Sequence, residues 1–190
     1  MVTPTEAVER ALRHVGKGTY ALGAGDFHAD RPDSPWTSKP PSYEYGCDCW
    51  GYAHSYAYKT SRHRPGFNKG PWATVSDDIN CDSAIEDAEH KRELFELVDT
   101  PRIGDLLVWP SIRGPDRKRI RIGHVSIVVD VPAEWDVAAP QFGLLIVVQC
   151  SPGGTAAIKR GPATGFMARE SFRGFIDHAW RTRILRVRAA

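Results

Sequence analysis

Residues 104–130 read GDLLVWPSIRGPDRKRIRIGHVSIVVD, and the fold class turns on them. Asp105–Trp109 and His124–Val131 are short runs rich in Val, Ile and Leu, bounded by Gly and Pro. That pattern reads as strands. Between them, Ile112–Arg121 carries Arg113, Arg117, Lys118, Arg119 and Arg121 with only Asp116 opposing. Such a stretch reads either as a solvated hairpin tip or as an attractor of carboxylates. Working outward, Leu94–Val98, Gly143–Cys150, Thr155–Lys159 and Thr182–Val187 have the same apolar, β-branched character and predict further strands.

Towards the N-terminus the period changes. Thr3 as N-cap, Pro4 at the first helical position and Glu6 three residues after the cap form a capping box. Val8, Ala11, Leu12 and Val15 then repeat at helical spacing, and Gly16 and Gly18 stop the run, which predicts a helix over 4–15. Gly16 to Gly46 has no sustained period and predicts a long loop, whose aromatic residues Tyr20, Phe27, Trp36, Tyr43 and Tyr45 suit packing on the body or lining a cleft. A second helix is expected from Cys49 to about Lys59. Residues 60–75 read as loop, and Ser76, Asp77 and Asp78 are expected to cap an acidic helix to about Leu94, broken near Cys81. Helices first and strands after predict a single α+β domain over 1–190, with N-terminal helices packed on an antiparallel sheet of about five to six strands.

The chain has 190 residues, 42% of them apolar and 25% charged, with 17 Gly and 14 Pro. This excludes collagen-like, coiled-coil and wholly disordered classes. Its 25 basic and 23 acidic residues leave a formal charge of +2, too small to argue for a nucleic-acid partner. No run of about 18 apolar residues could insert in a membrane. Met1–Leu12 has neither the basic start nor the apolar stretch of a signal peptide, so the expectation is synthesis in the cytoplasm, a mature fragment, or export by another route. Cys47, Cys49, Cys81 and Cys150 are too few for a disulfide scaffold and lack zinc-site spacing. No metal and no cofactor is expected.

A cysteine becomes a good nucleophile when a helix N-terminus and a nearby imidazole lower its pKa. Cys49 meets the first condition: it lies between a Gly-containing loop and the second helix, with Gly51 permitting close approach of another element to the first turn. It is otherwise an ordinary buried thiol. Among seven histidines, His124 opens a strand after Gly123 and can project from a rigid element, or else it is a satisfied sheet histidine. Gln149 is the first polar side chain at the end of the apolar run 144–148, where an amide could fix the tautomer of a histidine ring, unless it simply faces water. An imidazole that serves a nucleophile needs such an orienting group.

These residues resemble the NlpC-type papain-like cysteine peptidases, which cleave peptide stems of bacterial cell walls. Gly18-Thr19-Tyr20-Ala21-Leu22-Gly23 is similar to that family's early G-x-Y-x-x-G. Asp48-Cys49-Trp50-Gly51 resembles its nucleophile motif, Gly104-Asp105-Leu106-Leu107-Val108-Trp109 its G-D-L-V strand and Gly123-His124-Val125-Ser126-Ile127 its base motif. Gln149 falls where the family has a third polar residue. The resemblance implies a papain-like fold, a Cys49 nucleophile, His124 as general base and later acid, and Gln149 as orienter. It also implies an oxyanion hole that includes the Cys49 N–H. Tyr20 matches a position whose hydroxyl points towards the nucleophile's surroundings, or is a packed loop tyrosine. Asp48 is expected to cap the helix.

Trp50 stands where serine is commoner and is expected to put bulk near the substrate-binding side. The insert from Asp26 to Tyr45 is expected to rebuild the cleft rim. Cys47 is either a redox partner or structural, while Cys81 and Cys150 suit the interior. The leading expectation is an endopeptidase acting on a peptidoglycan peptide through a thioester. The alternatives are an N-acetylmuramoyl-L-alanine amidase of the neighbouring CHAP group, with its similar Cys-then-G-H-V order, and a non-catalytic phage tail or wall-binding module. The expected settings are a phage-encoded lysin, with phage tail components as partners, or an exported effector with an immunity protein.

Overall fold

A computed structural model of the chain describes residues 2–27, 29–30, 32–35, 46–64, 67, 78–91, 93–113, 119–121, 123–152, 156–163 and 182–188. The first helix, α1 (Pro4–Leu12), carries the expected capping box: Thr3 accepts from the Glu6 N–H, and the Glu6 carboxylate accepts from the Thr3 N–H. It ends three residues earlier than the apolar spacing predicts. His14 turns away to place Nε2 2.9 Å from the Tyr56 hydroxyl, and Gly16, at φ +83°, donates its N–H to the Ile158 carbonyl.

Two short strands follow, β1 (Thr19–Tyr20) and β2 (Gly46–Cys47), paired in parallel with Tyr20 opposite Cys47. This pair lies inside and at the end of the region expected to be loop, because two residues carry no readable period. Helical backbone begins at Cys49 and continues as a π-helix over Gly51–Tyr56. π-helical turns recur at functional sites. The next helix, α2 (Cys81–Glu86), starts after Asn80, whose side chain accepts from the Asp82 and Ser83 N–H groups. Asn80 therefore replaces the expected Ser76–Asp78 cap. Ser76 and Asp77 lie outside the described residues, and Asp78 instead bridges to His63.

The remaining strands are β3 (Phe95–Val98), β4 (Leu106–Trp109), β5 (Ile112–Arg113), β6 (Arg119–Arg121), β7 (His124–Asp130), β8 (Ile146–Cys150), β9 (Ile158–Pro162) and β10 (Arg183–Val187). Six of them form one sheet in the order β3-β10-β4-β7-β8-β9, antiparallel at every pair, while β5 and β6 form a separate hairpin between β4 and β7. The fold is thus α+β, as expected. Two strands begin later than the sequence predicts. Gly143 falls in a 3-10 turn (Phe142–Leu144) and β8 starts at Ile146, while β9 begins at Ile158 and ends on Pro162, which an edge strand tolerates. Thr155 lies outside the described residues.

Both faces of the sheet are buried. Leu106, Val108, Val125, Ile127, Val148 and Leu185 pack towards α1 and the π-helix, with Ala7, Ala11, Tyr52, Ala53 and Tyr56. Leu107, Trp109, Val128, Val147 and Ile184 form a second cluster with Phe142 and Leu145. The one-residue alternation along each strand produces this split. Asp105, the acid of the G-D-L run, is structural: it binds Arg186 of β10 through both carboxylate oxygens at 2.9 Å and accepts from the Arg102 N–H.

Candidate functional site

Cys49 is the first helical residue after Asp48, and its N–H is one of the amides for which a helix provides no internal acceptor. Asp48 caps the turn as expected, accepting from the Gly51 N–H at 2.7 Å and from the Gly23 N–H at 2.9 Å. The close approach expected at Gly51 is present, since a Cβ there would run into the carbonyl oxygens of Ala24 and Gly25. Only a glycine lets the 23–25 loop lie this close on the first turn.

His124 opens β7 opposite Trp109 of β4. Its Nε2 lies 2.7 Å from Gln149 Oε1, and Ser126, two residues along the same strand, donates its hydroxyl to the same oxygen at 3.4 Å. A carbonyl oxygen can only accept, so Nε2 carries the hydrogen and Nδ1 is the nitrogen free of that bond. Gln149 is completely buried, and its Nε2 has no partner among the described residues. The strand-end amide therefore faces the ring and not water.

The Cys49 thiol is held well below its ordinary value. The first cause is a hydrogen bond from the Cys81 thiol. Burial opposes it, and the charge and hydrogen bond of His124 and the Val125 N–H add to the lowering. The Cys81 thiol is correspondingly pushed up by its bond to Cys49, by burial and by the nearby Cys49 charge. Sequence reasoning missed Cys81, although an Asn-x-x-Ser cap at 80–83 would have placed a second cysteine at a helix start. A Cβ on Gly123 would meet Cys81 Cβ at 2.8 Å, so the missing side chain lets Cys81 press on the strand that carries His124.

Asp48 is pushed up to about 6 by burial, against the pull of Arg62 and with a further push from Cys49. Arg62 holds its Oδ2 through both terminal nitrogens at 3.1 Å and also donates to the Ala24 and Gly25 carbonyls. Nothing marked Arg62 in the sequence, because it is one of many basic residues in an aperiodic stretch. Tyr20 is half-buried, with its hydroxyl raised above the ordinary range by burial and then by the Cys49 charge, which puts it in the nucleophile's neighbourhood.

Trp50 requires a correction. It is 2% exposed and packs edge-on against Phe95 and beside His54, with ring centroids 5.8 and 5.0 Å away. A side chain one position past Cys49 leaves the helix in a different direction, so its bulk fills the core and not the substrate side. His54 next to it is a core histidine, lowered to about 3 by burial and then by Arg62. Of the 26–45 insert, residues 28, 31 and 36–45 lie outside the described residues, and most of the expected cleft rim with them.

Cys49, His124 and Gln149 thus meet at one point, with Cys81, Asp48 and Tyr20 around them. Among the described residues no group of histidine, cysteine and carboxylate side chains could hold a metal ion. What the arrangement can do is hold a thiolate beside an oriented imidazole, the requirement for attack on an acyl group. No curated protein matches the chain. The family model described as the CHAP domain matches residues 38–139, just over half of the 190 residues, and the match spans Cys49 and His124. The chain therefore belongs to the CHAP domain family of papain-like cysteine hydrolases, enzymes that hydrolyse the peptidoglycan of the bacterial cell wall.

Proposed function

We propose that the chain cleaves an amide bond in peptidoglycan stem peptides, with Cys49 as nucleophile, His124 as general base and then acid, and Gln149 as the group that orients His124. The observation that carries this reading is the contact of one thiol with an imidazole whose far nitrogen is tied to a buried amide. With Nε2–H committed to Gln149, His124 exchanges protons with Cys49 through Nδ1. The thiolate attacks the carbonyl, and the oxyanion that forms is met by the Cys49 N–H at the helix start. His124 then protonates the leaving amine, and water, deprotonated by the same ring, releases the thioester. The thiol, the imidazole and an oriented amide are sufficient for this chemistry.

The leading reading is an endopeptidase. The CHAP match supports a second, an N-acetylmuramoyl-L-alanine amidase, which uses the same three residues on the first amide of the stem. A non-catalytic tail or wall-binding module would have no use for a depressed thiol beside an oriented histidine. The chain acts on the cell wall in this account, either as a phage-encoded lysin or as an exported effector with an immunity protein as partner.

Digestion of purified peptidoglycan of several chemotypes under reducing conditions, with soluble products read by mass spectrometry, tests this function. Free stem peptides detached from muramic acid are the product of an amidase, and shortened stems or split cross-links that of an endopeptidase. Intact sacculi after exposure to folded protein would contradict both.

A further inference from the structure

Two of the four cysteines have no part in the chemistry above, yet they touch. Cys47 Sγ and Cys150 Sγ lie 3.1 Å apart, and the Cys150 thiol also reaches the Cys47 carbonyl at 3.1 Å. Both residues are completely buried, and 103 positions of chain separate them. Their places in the fold are specific. Cys47 ends β2, two residues before Cys49, and Cys150 ends β8, directly after Gln149. A Cβ on Gly25 would meet Cys47 Cβ at 2.7 Å, so the 23–25 loop closes over this cysteine as well as over the turn that carries the nucleophile.

The geometry points to a native disulfide between Cys47 and Cys150, formed when the chain folds in an oxidising compartment. Such a bond would tie the nucleophile's turn to the strand that holds the orienting amide. In forming it, one thiolate attacks a disulfide oxidant such as glutathione disulfide and releases one glutathione thiol. The second cysteine, giving up its own proton, displaces the other. Two S–H bonds are lost, one S–S bond is made, and the two electrons leave on glutathione.

The bond belongs to folding and not to later oxidation. Thiolate and access are both needed for exchange, and in the finished fold both sulfurs are sealed. Burial, followed by the Cys47 hydrogen bond, holds the Cys150 thiol far above its ordinary range. Once made, the bridge is equally sealed from reductants. Cys49 is turned to Cys81 and His124 instead, so it is not the neighbour of either sulfur of this pair.

The test is to refold the full chain from the reduced, denatured state in glutathione disulfide and, in parallel, in excess reductant. Thiols are trapped with iodoacetamide in denaturant, bridges are then reduced and labelled with N-ethylmaleimide, and the peptides are mapped by mass spectrometry. The expected result is one bridge, Cys47–Cys150, with Cys49 and Cys81 carrying the thiol label. The bridged form should also melt roughly 10 °C above the reduced one, as closure of a loop this long implies. Cys47 and Cys150 trapped as thiols in both refoldings, or bridged to Cys49 or Cys81, would overturn the assignment, and a mapped bridge with unchanged melting would overturn its stapling role. The bond is read from mass alone. Bridged but inactive protein would therefore contradict the proposed function and leave the disulfide standing, and active protein from the glutathione disulfide refolding with Cys47 and Cys150 both still thiols would do the reverse.

Discussion

Gln149 Oε1 receives the Nε2–H of His124 at 2.7 Å across the β7–β8 pair, with the Ser126 hydroxyl on the same oxygen. Two neighbouring antiparallel strands thus set both the ring's rotation and its tautomer, without adding a charge that would compete for the thiol's proton. Gln149→Ala should lower kcat by on the order of 10²-fold, as loss of an oriented acid–base group does, with KM little changed. Ser126→Ala should cost far less. Steady-state kinetics and thermal melting on the same preparations check this. A fall in kcat matched by loss of folded protein would make Gln149 a packing residue.

The hydrogen bond from the Cys81 thiol does most to lower the Cys49 pKa, ahead of the charge of His124. The rate of iodoacetamide labelling at Cys49, followed from acid to alkaline pH, should therefore show its midpoint move upward in Cys81→Ala. In Cys81→Ser, which keeps a donor, it should move less. His124→Ala should also raise the midpoint. If the profile is the same in wild type and Cys81→Ala, the second thiol does not act on the first.

Asp48 has its folded pKa near 6 because it is buried, against roughly 4 for an aspartate in the unfolded chain. The folded state therefore binds this proton more tightly. The stability linked to the group is fully present below about pH 4 and is lost as pH rises through about 6, by up to ~3 kcal/mol. Asp48→Asn removes the titration. The melting temperature of wild type relative to Asp48→Asn should fall between about pH 4 and 6 and be level above that. A constant difference across that window would show that Arg62 keeps the carboxylate charged throughout.

Trp50 sits in the core against Phe95 and His54. Trp50→Ala should cost about 3–5 kcal/mol of stability, as large cavities do, whereas Trp50→Phe should melt a few degrees lower and keep KM within about twofold. A large rise in KM for the Phe variant, measured on peptidoglycan fragments, would return this side chain to the substrate side.

How much of this was legible in sequence depends on how local its cause is. The capping box of α1, the glycine at position 51 and the runs that became β4, β7, β8 and β10 are each decided within a few residues, and the structure keeps them. The placement of β10 between β3 and β4 is not local, because strand order depends on packing across the whole domain. The β1–β2 pair was invisible because two residues show no alternation, and the start of α2 was misplaced because three polar residues at 76–78 resembled a cap more than Asn80 did. At the site, the meeting of Cys49, His124 and Gln149 followed from where each stood on its element. Arg62 could not be found that way, because it stands in an aperiodic loop. Cys81 opens α2, where the Asn80–Ser83 cap was the local signal, and only the folded chain brings the two to Cys49 and Asp48.

In the proposed mechanism Cys49 carries the acyl group. Wild type and Cys49→Ala would each be mixed with soluble peptidoglycan fragments, quenched in acid within a single turnover, and their intact masses and peptides measured. The expected result is an added mass equal to the acyl portion of the cleaved fragment on the Cys49 peptide of the wild type, removed by hydroxylamine, and neither adduct nor product with Cys49→Ala. Cleavage that persists in Cys49→Ala, or product formed by wild type with the adduct on another cysteine, would contradict it.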